Sequence, residues 1–237
     1  MVITERSTTL MKKTLRSAFF ATIPVLTGYI VLGFGFGLVL KSAGYGIIFA
    51  FAMSLLIYAG SMQYVAVGLI SGGATLITAA LTTLMVNARH IFYGISMLSK
   101  YKRMGKRKPY LIFALTDETY SLVCGDINNI EESRLADYYF FVSVFNHAYW
   151  VIGSVLGAVV GTLVKFNTEG IDFALTALFV TVFVEQWLSS KKHSPAIIGV
   201  LASVVCLIIF GADSFLIPTM LIIALILSLM KEGSNDE

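Results

Sequence analysis

The chain has 237 residues, of which 57% are hydrophobic and only 13% charged, with a formal net charge of +3. Soluble domains carry about 25% charged residues, so a soluble enzyme or regulatory domain is excluded and an integral membrane protein is indicated. The positive excess does not point to nucleic acid, because the basic residues cluster beside hydrophobic segments.

A hydrocarbon core about 30 Å thick takes roughly 20 apolar residues per helix. In chain order the candidates are residues 19–40, 46–70, 74–99, 110–124, 138–164, 170–189, 194–211 and 214–230. The predicted fold class is therefore all-α, a polytopic transmembrane bundle of about seven or eight segments in one domain embedded in a lipid bilayer. Residues 1–17 carry Arg6, Lys12, Lys13 and Arg16. The apolar run that follows is too long for a signal-peptide core, so this region reads as retained. Glycines at 28–46 and 153–161 read as sites of close helix packing. Cys124 and Cys206 lie in or beside apolar segments and imply neither a disulfide framework nor a metal site. No cofactor is expected.

Charge creates a conflict. Lys100, Lys102, Arg103, Lys106, Arg107 and Lys108 form one basic loop that belongs in the cytoplasm, as does the N-terminal cluster. Full crossing by every segment would put that loop on the wrong face. The acidic stretch 126–137 is at home outside. Segment 46–70 resolves the conflict if it is re-entrant, and LIYAGSMQY, Leu56 to Tyr64, divides it into two short halves through Gly60. YIVLG at Tyr29 also resembles YWVIG at Tyr149, and GIIFA at Gly46 resembles GIDFA at Gly170. Read as a repeat, residues 19–99 and 138–211 are two triplets, inverted if each middle member is re-entrant, an arrangement found in transporters. Against this, residues 171–189 lack glycine and proline and read as a continuous helix.

Ionisable residues inside membrane segments mark functional sites. Arg89 is the one cation deep within a segment; the anions are Asp117 and Glu118, with Asp172 and Glu185 nearer the ends of the sixth. Counted from the basic loop, Arg89 lies roughly 16 Å and Asp117 roughly 14 Å deep at about 1.5 Å per residue. Arg89, His90, Asp117 and Glu118 thus share a depth, as a structural ion pair or as a site for a zwitterion plus a coupling proton. Asp117 and Glu118 are about 100° apart on a helix, so at most one meets a given partner. Asn87 and His90 share a helix face. Ser61 and Gln63, beside Gly60, suit a backbone break facing a cavity. Asn146 and His147, beside Tyr149 and Trp150, read as interfacial.

These residues resemble a known family. YAGSMQYVAVGLISGGATLITAALTTLMVNARHIFYGISML, followed by LTDETYSLV and IDFALTALFV, resembles the AzlC family of bacterial branched-chain amino acid permeases, which includes YgaZ-type and BrnF-type large subunits. The likeness runs from about Pro24 to Phe179 and departs at Thr176, where the family pattern has proline. It implies export of valine, leucine, isoleucine and often methionine together with a small hydrophobic AzlD-like subunit. By position the family's characteristic residues fall on Gly60, Ser61, Gln63, Asn87, Arg89, His90, Asp117 and Glu118. The first three, with Asn87 and Arg89, are candidate substrate-binding residues; Asp117, Glu118 and His90 are candidates for proton coupling. Met62, Tyr64, Phe92 and Tyr93 are candidate pocket walls.

The expected activity is secondary export of branched-chain amino acids, proton-coupled and without a catalytic centre. No G-x-x-x-x-G-K-[ST] loop for nucleotide phosphates is present. The alternatives are an intramembrane enzyme using Ser61 with His90 or His147, and a non-transporting scaffold.

Overall fold

The computed structural model describes residues 2–125, 127, 130–163, 180, 183–184, 187–188, 193–211 and 215–232. Most of the sixth segment, with Asp172, Thr176 and Glu185, and also Lys165, Lys191 and Lys192, lies outside the described residues. All regular structure among the described residues is helical. The chain forms two compact units, Met1–Ala74 with His90–Ala174, and Thr75–Arg89 with Leu175–Glu237.

The first unit is built on α1 (Val2–Ser42) and α8 (Leu135–Leu163). Thr9–Ser42 and Glu132–Leu163 are long and apolar enough to cross a membrane. Without a hydrophobic driving force inside lipid, such helices associate by close packing over small residues. A Cβ on Gly33 would stand 3.0 Å from the Trp150 carbonyl oxygen, and one on Gly153 would stand 2.8 Å from that of Ile30. One turn on, Gly37 meets the Ser154 carbonyl and Gly157 that of Phe34, closer still.

Ile30 and Trp150 are equivalent positions of YIVLG and YWVIG, as are Gly33 and Gly153. Each contact is thus its counterpart with the two segments exchanged, the signature of a local two-fold. The helices also run the same way. Phe19 meets Phe145 at 5.6 Å, Tyr29 meets Trp150 at 5.5 Å, and the Lys41 side chain lies on Gly161. The repeat expected from sequence is therefore real at its leading helices, but these two members are parallel and not inverted.

Two short hairpins enter this pair from opposite ends. From the carboxy-terminal end come α2 (Ile47–Leu56) and α3 (Gly60–Ser71), of 10 and 12 residues, each too short for a crossing. Gln63 Nε2 donates to Ser54 Oγ at 3.2 Å and closes the hairpin. The expected break is present, but its position is corrected. The chain turns at Tyr58, which holds φ +46°, while Gly60 begins α3. Gly60 serves packing, since a Cβ there would lie 3.1 Å from the Trp150 ring.

From the amino-terminal end come α6 (Lys108–Phe113) and α7 (Asp117–Val123), with Ala114–Leu115–Thr116 between them. Here α5 (Arg89–Tyr101) supplies Met97 and Tyr101 to a core shared with Ala18, Leu111, Tyr138 and Tyr139. Both ends of the hairpin sit at that level. Arg107 pairs with Asp137 in the first turn of α8, and Lys100 Nζ donates to the Cys124 and Gly125 carbonyls, both at 2.6 Å. Segment 110–124 therefore starts and finishes at the same end of the α1–α8 pair.

The acidic stretch is corrected with it. Arg103 lies 3.5 Å from Glu132, so basic loop and acidic stretch share one end. The physical cause is Thr116, which caps a new helix by accepting from Thr119 N at 3.3 Å, with Asp117 and Glu118 in the favourable first turn. On this geometry cysteines at Lys106 and Ser133, in a background lacking Cys124 and Cys206, are expected to label from one membrane face, and a cysteine at Ser71 from the other. Labelling of Lys106 and Ser133 from opposite faces would contradict the second hairpin.

In the second unit α9 (Ser194–Phe210) and α10 (Leu216–Glu232) pack on each other, and α10 also meets α4 (Leu76–Asn87). Helix α9 has Pro195 in its first turn and ends at Gly211, φ +73°. A further interruption falls at Ala88, between α4 and α5.

Candidate functional site

The broken tips of the two hairpins meet midway along the α1–α8 pair. Tyr58, from the first tip, stacks on His147 with ring centroids 4.2 Å apart, and lies 6.2 Å from Phe113 at the end of α6. A bulky residue at positive φ costs roughly 1–3 kcal/mol unless its surroundings fix it. The stack on His147 and the edge of Tyr29, 6.5 Å away, supply that fixation.

The second tip is tied to α1 and α8 by hydroxyl groups. Tyr29 OH donates to Glu118 Oε2 at 2.6 Å and lies 2.7 Å from Thr116 Oγ1. Thr116 and Thr119 hydroxyls are 3.1 Å apart, and Asn146 Nδ2 donates to Thr119 Oγ1 at 3.1 Å. The first tip has its own network. Trp150 Nε1 donates to Gln63 Oε1 at 2.9 Å, and His147 Nε2 contacts the Ser54 carbonyl at 3.2 Å. His147 Nδ1 lies 3.2 Å from Tyr110 OH on α6, so the histidine bridges both hairpins.

Gly60, Ser61 and Gln63 occupy the first turn of α3, with Ser61 half-buried and Gln63 wholly buried. Both ends of the Gln63 amide are engaged by protein. Asp117 and Glu118 are half-buried at the start of α7. His90 lies edge-on to Tyr93 at 5.8 Å, and Tyr93 stacks on Tyr120 of α7 at 4.6 Å. Asn87 and Arg89 belong to the second unit, at the end of α4 and the start of α5. Of the candidate walls, Met62 and Tyr64 are buried, and Tyr64 OH donates to the Leu32 carbonyl at 2.6 Å.

The interfacial reading of Asn146 and His147 is overturned. Asn146 is wholly buried and His147 nearly so, because α8 runs between the two tips. Sequence reasoning also passed over Tyr29, Tyr58, Thr116 and Thr119. The threonine–acid–acid run at 116–118 was the readable signal, since it is an N-cap followed by an acidic first turn.

Comparison with known proteins bears on the same stretch of chain. The model of the AzlC family, described as AzlC protein, matches residues 24–164, which take in α1 from Pro24, both hairpins and α8. The chain belongs to the AzlC family. Relatives include the branched-chain amino acid transport protein AzlC of Bacillus subtilis (strain 168), 45% identical over 219 residues, 92% of this chain and 85% of that protein. An uncharacterized membrane protein of Haemophilus influenzae is 41% identical over 216 residues, 90% of this chain and 88% of its own. The inner membrane protein YgaZ of Escherichia coli (strain K12) is 29% identical over 191 residues, 77% of this chain and 78% of that protein. No solved structure gives a significant match. As an AzlC-family member, the chain is a helical membrane protein of a transport family.

Proposed function

We propose that the chain exports branched-chain amino acids, as the large subunit of a proton-coupled secondary transporter that works with a small AzlD-like partner. The observation that supports this most directly is the meeting of two broken hairpins, from opposite ends, on a buried polar cluster. Non-helical backbone at membrane depth is tolerated against protein or a watery cavity, and transporters bind substrates at such breaks. Withdrawing one hairpin at a time would expose the cluster to alternate faces. The substrate class follows from the likeness to the Bacillus subtilis relative, a branched-chain amino acid transport protein.

In this reading Ser61 with the backbone at the first tip supplies polar contacts to the substrate within the first unit, and Arg89 and Asn87 of the second unit are proposed, from their chemistry alone, as carboxylate ligands. Glu118, held by Tyr29, exchanges the proton, with Asp117 beside it in sequence and His90, on α5, as the further candidates. Gln63 becomes a positioning residue for Trp150, since both ends of its amide are occupied. His147 is a poor base for Ser61, because its ring nitrogens face Ser54 and Tyr110.

The test loads cells with valine-containing dipeptides and follows intracellular valine with the chain absent, alone, and with its small partner. Valine is expected to accumulate most where the chain is absent and least with both subunits. Equal accumulation in all three strains would overturn the export reading. Arg89→Ala removes a charge-assisted contact worth about 1.5–3 kcal/mol, so export is expected to fall at least about tenfold.

A further inference from the structure

The two halves of the second hairpin are held by different neighbours. Helix α6 lies on α8. The Arg107 guanidinium pairs with Asp137 and stands over the Phe140 ring at 5.3 Å, Tyr110 meets the same ring at 5.6 Å, and Tyr110 OH lies 3.2 Å from His147 Nδ1. Helix α7 is fastened to α5 at successive turns. Tyr93 and Tyr120 stack with ring centroids 4.6 Å apart and planes within 14°. Ser96 Oγ donates to Tyr120 OH at 3.1 Å, and Lys100 Nζ donates to the Cys124 and Gly125 carbonyls that close α7.

These pairings fix a register. Tyr93 meets Tyr120 and Lys100 meets the end of α7, so α5 and α7 run side by side in the same direction. Both helices rise by about 1.5 Å per residue. One turn back from the stack, His90 therefore stands level with Asp117.

The seam between α7 and α8 is of another kind. Asn146 Nδ2 donates to Thr119 Oγ1 at 3.1 Å, but Asn146 Oδ1 and Ser143 Oγ have no partner, on wholly buried residues one turn apart on the same face of α8. Such atoms are costly to leave unpaired. Water entering an opened seam would satisfy both, which offsets the hydrogen bond broken to open it. Parting the Tyr93–Tyr120 stack has no such return, because separation exposes two aromatic faces. The chain also carries the joints that unequal attachment needs. Ala114–Leu115–Thr116 is a non-helical link between α6 and α7, able to absorb a backbone rotation. Towards the basic loop, Met97, Tyr101 and Val123 share an apolar core with Tyr138 and Tyr139, which serves as the pivot.

We propose that α5 and α7 swing as one body during transport, parting from α8 along the Asn146–Thr119 seam and bending at Ala114–Leu115–Thr116, while α6 stays on α8. The inference rests on the transport reading and deepens it, because it names the part of the second hairpin that withdraws. Tyr120 is a positioning residue, which keeps His90 level with Asp117 as both move. The same swing takes Glu118 away from Tyr29.

The experiment uses the full chain with its small partner in nanodiscs, lacking Cys124 and Cys206, and measures distances between spin labels by electron resonance. Labels are placed at the exposed residues Ser99 of α5, Ile112 of α6 and Ser121 of α7, each paired with one at Leu156 of α8. Added valine should shift the Ser99 and Ser121 distances together and leave the Ile112 distance unchanged. A shift of Ile112 with Ser121 while Ser99 stays would mean that the hairpin withdraws whole, and would overturn the proposal. So would an unmoved Ser121 in protein that exports valine. If valine, leucine, isoleucine and methionine shift no distance and are not exported, the transport reading is what fails.

A second measurement needs no ligand and decides the role of Tyr120. Tyr120→Leu removes the stack, and should broaden the Ser99–Ser121 distance distribution while the Ile112–Leu156 distribution stays narrow. Tyr120→Phe keeps the stack and should restore both the narrow distribution and export. An unbroadened distribution in Tyr120→Leu refutes the joined body. Equal broadening at Ile112–Leu156 would mean general loosening, and refutes it too.

Discussion

Gly157→Leu is expected to abolish accumulation of folded protein. A Cβ at Gly157 would lie 2.7 Å from the carbonyl carbon and 2.8 Å from the Cα of Phe34, and closer still to its oxygen. These are backbone atoms of a long helix and cannot rotate aside. Ordinary overpacking costs about 1–3 kcal/mol when side chains can give way. Here the helices themselves must part, and the packing lost extends along the glycine seam that holds them together. We therefore expect a cost above the usual overpacking range and little monodisperse protein after detergent extraction. Gly37→Leu should do the same, because Gly37 meets the Ser154 carbonyl in the reciprocal contact. Gly28→Ala is the control, since a Cβ there meets nothing within 4 Å. Normal yield of Gly157→Leu would mean that the helices do not cross so closely.

The same seam shows what the sequence reveals and what it conceals. Glycine spacing and the YIVLG–YWVIG likeness are legible in the chain, and they identify the pair that crosses. Their relative direction is not legible, because a repeat of five apolar residues is equally compatible with parallel and inverted copies. That direction is set by how many intervening segments cross, and the count failed at 110–124. This run is apolar enough to look like a span, yet Ala114–Leu115–Thr116 interrupts it without glycine or proline. The cap at Thr116 was visible, but local capping competes poorly with hydropathy when a whole window is averaged.

The first hairpin was legible for the opposite reason. Gly60, Ser61 and Gln63 disturb an otherwise apolar run, and the break does fall beside them. Its pivot was missed because Tyr58 is a residue that local propensity would never place at positive φ. Tertiary stacking on His147 overrides that propensity, and such a contact has no signature in one sequence. The burial of Asn146 and His147 is hidden likewise. Beside Tyr149 and Trp150 they mimic an interfacial belt, and only the two hairpins packed around α8 turn them into an interior cluster.

Trp150→Ala is expected to have the largest effect of any change within that cluster. The indole is 3% exposed, stacks with Phe36 at 6.3 Å, meets Tyr29 edge-on at 5.5 Å and lies against Gly60. Truncating a buried aromatic to alanine costs about 3–5 kcal/mol. The loss also leaves Gln63 Oε1 buried without its donor, a further penalty of about 1–3 kcal/mol. A large fall in thermal stability in detergent, together with loss of valine export, is the expected result.

Trp150→Phe separates the two contributions, because it keeps an aromatic wall and removes only the N–H. It should cost roughly the 1–3 kcal/mol of the unmet acceptor, and Gln63→Leu should cost less in that background than in the wild type, since the acceptor has already lost its partner. The cycle also decides what Gln63 does. A positioning residue has its effect on export through Trp150, so Gln63→Leu should change export little once Trp150 is phenylalanine. If it still lowers export about tenfold or more at unchanged stability, the Gln63 amide leaves Trp150 during the transport cycle and contacts the substrate itself.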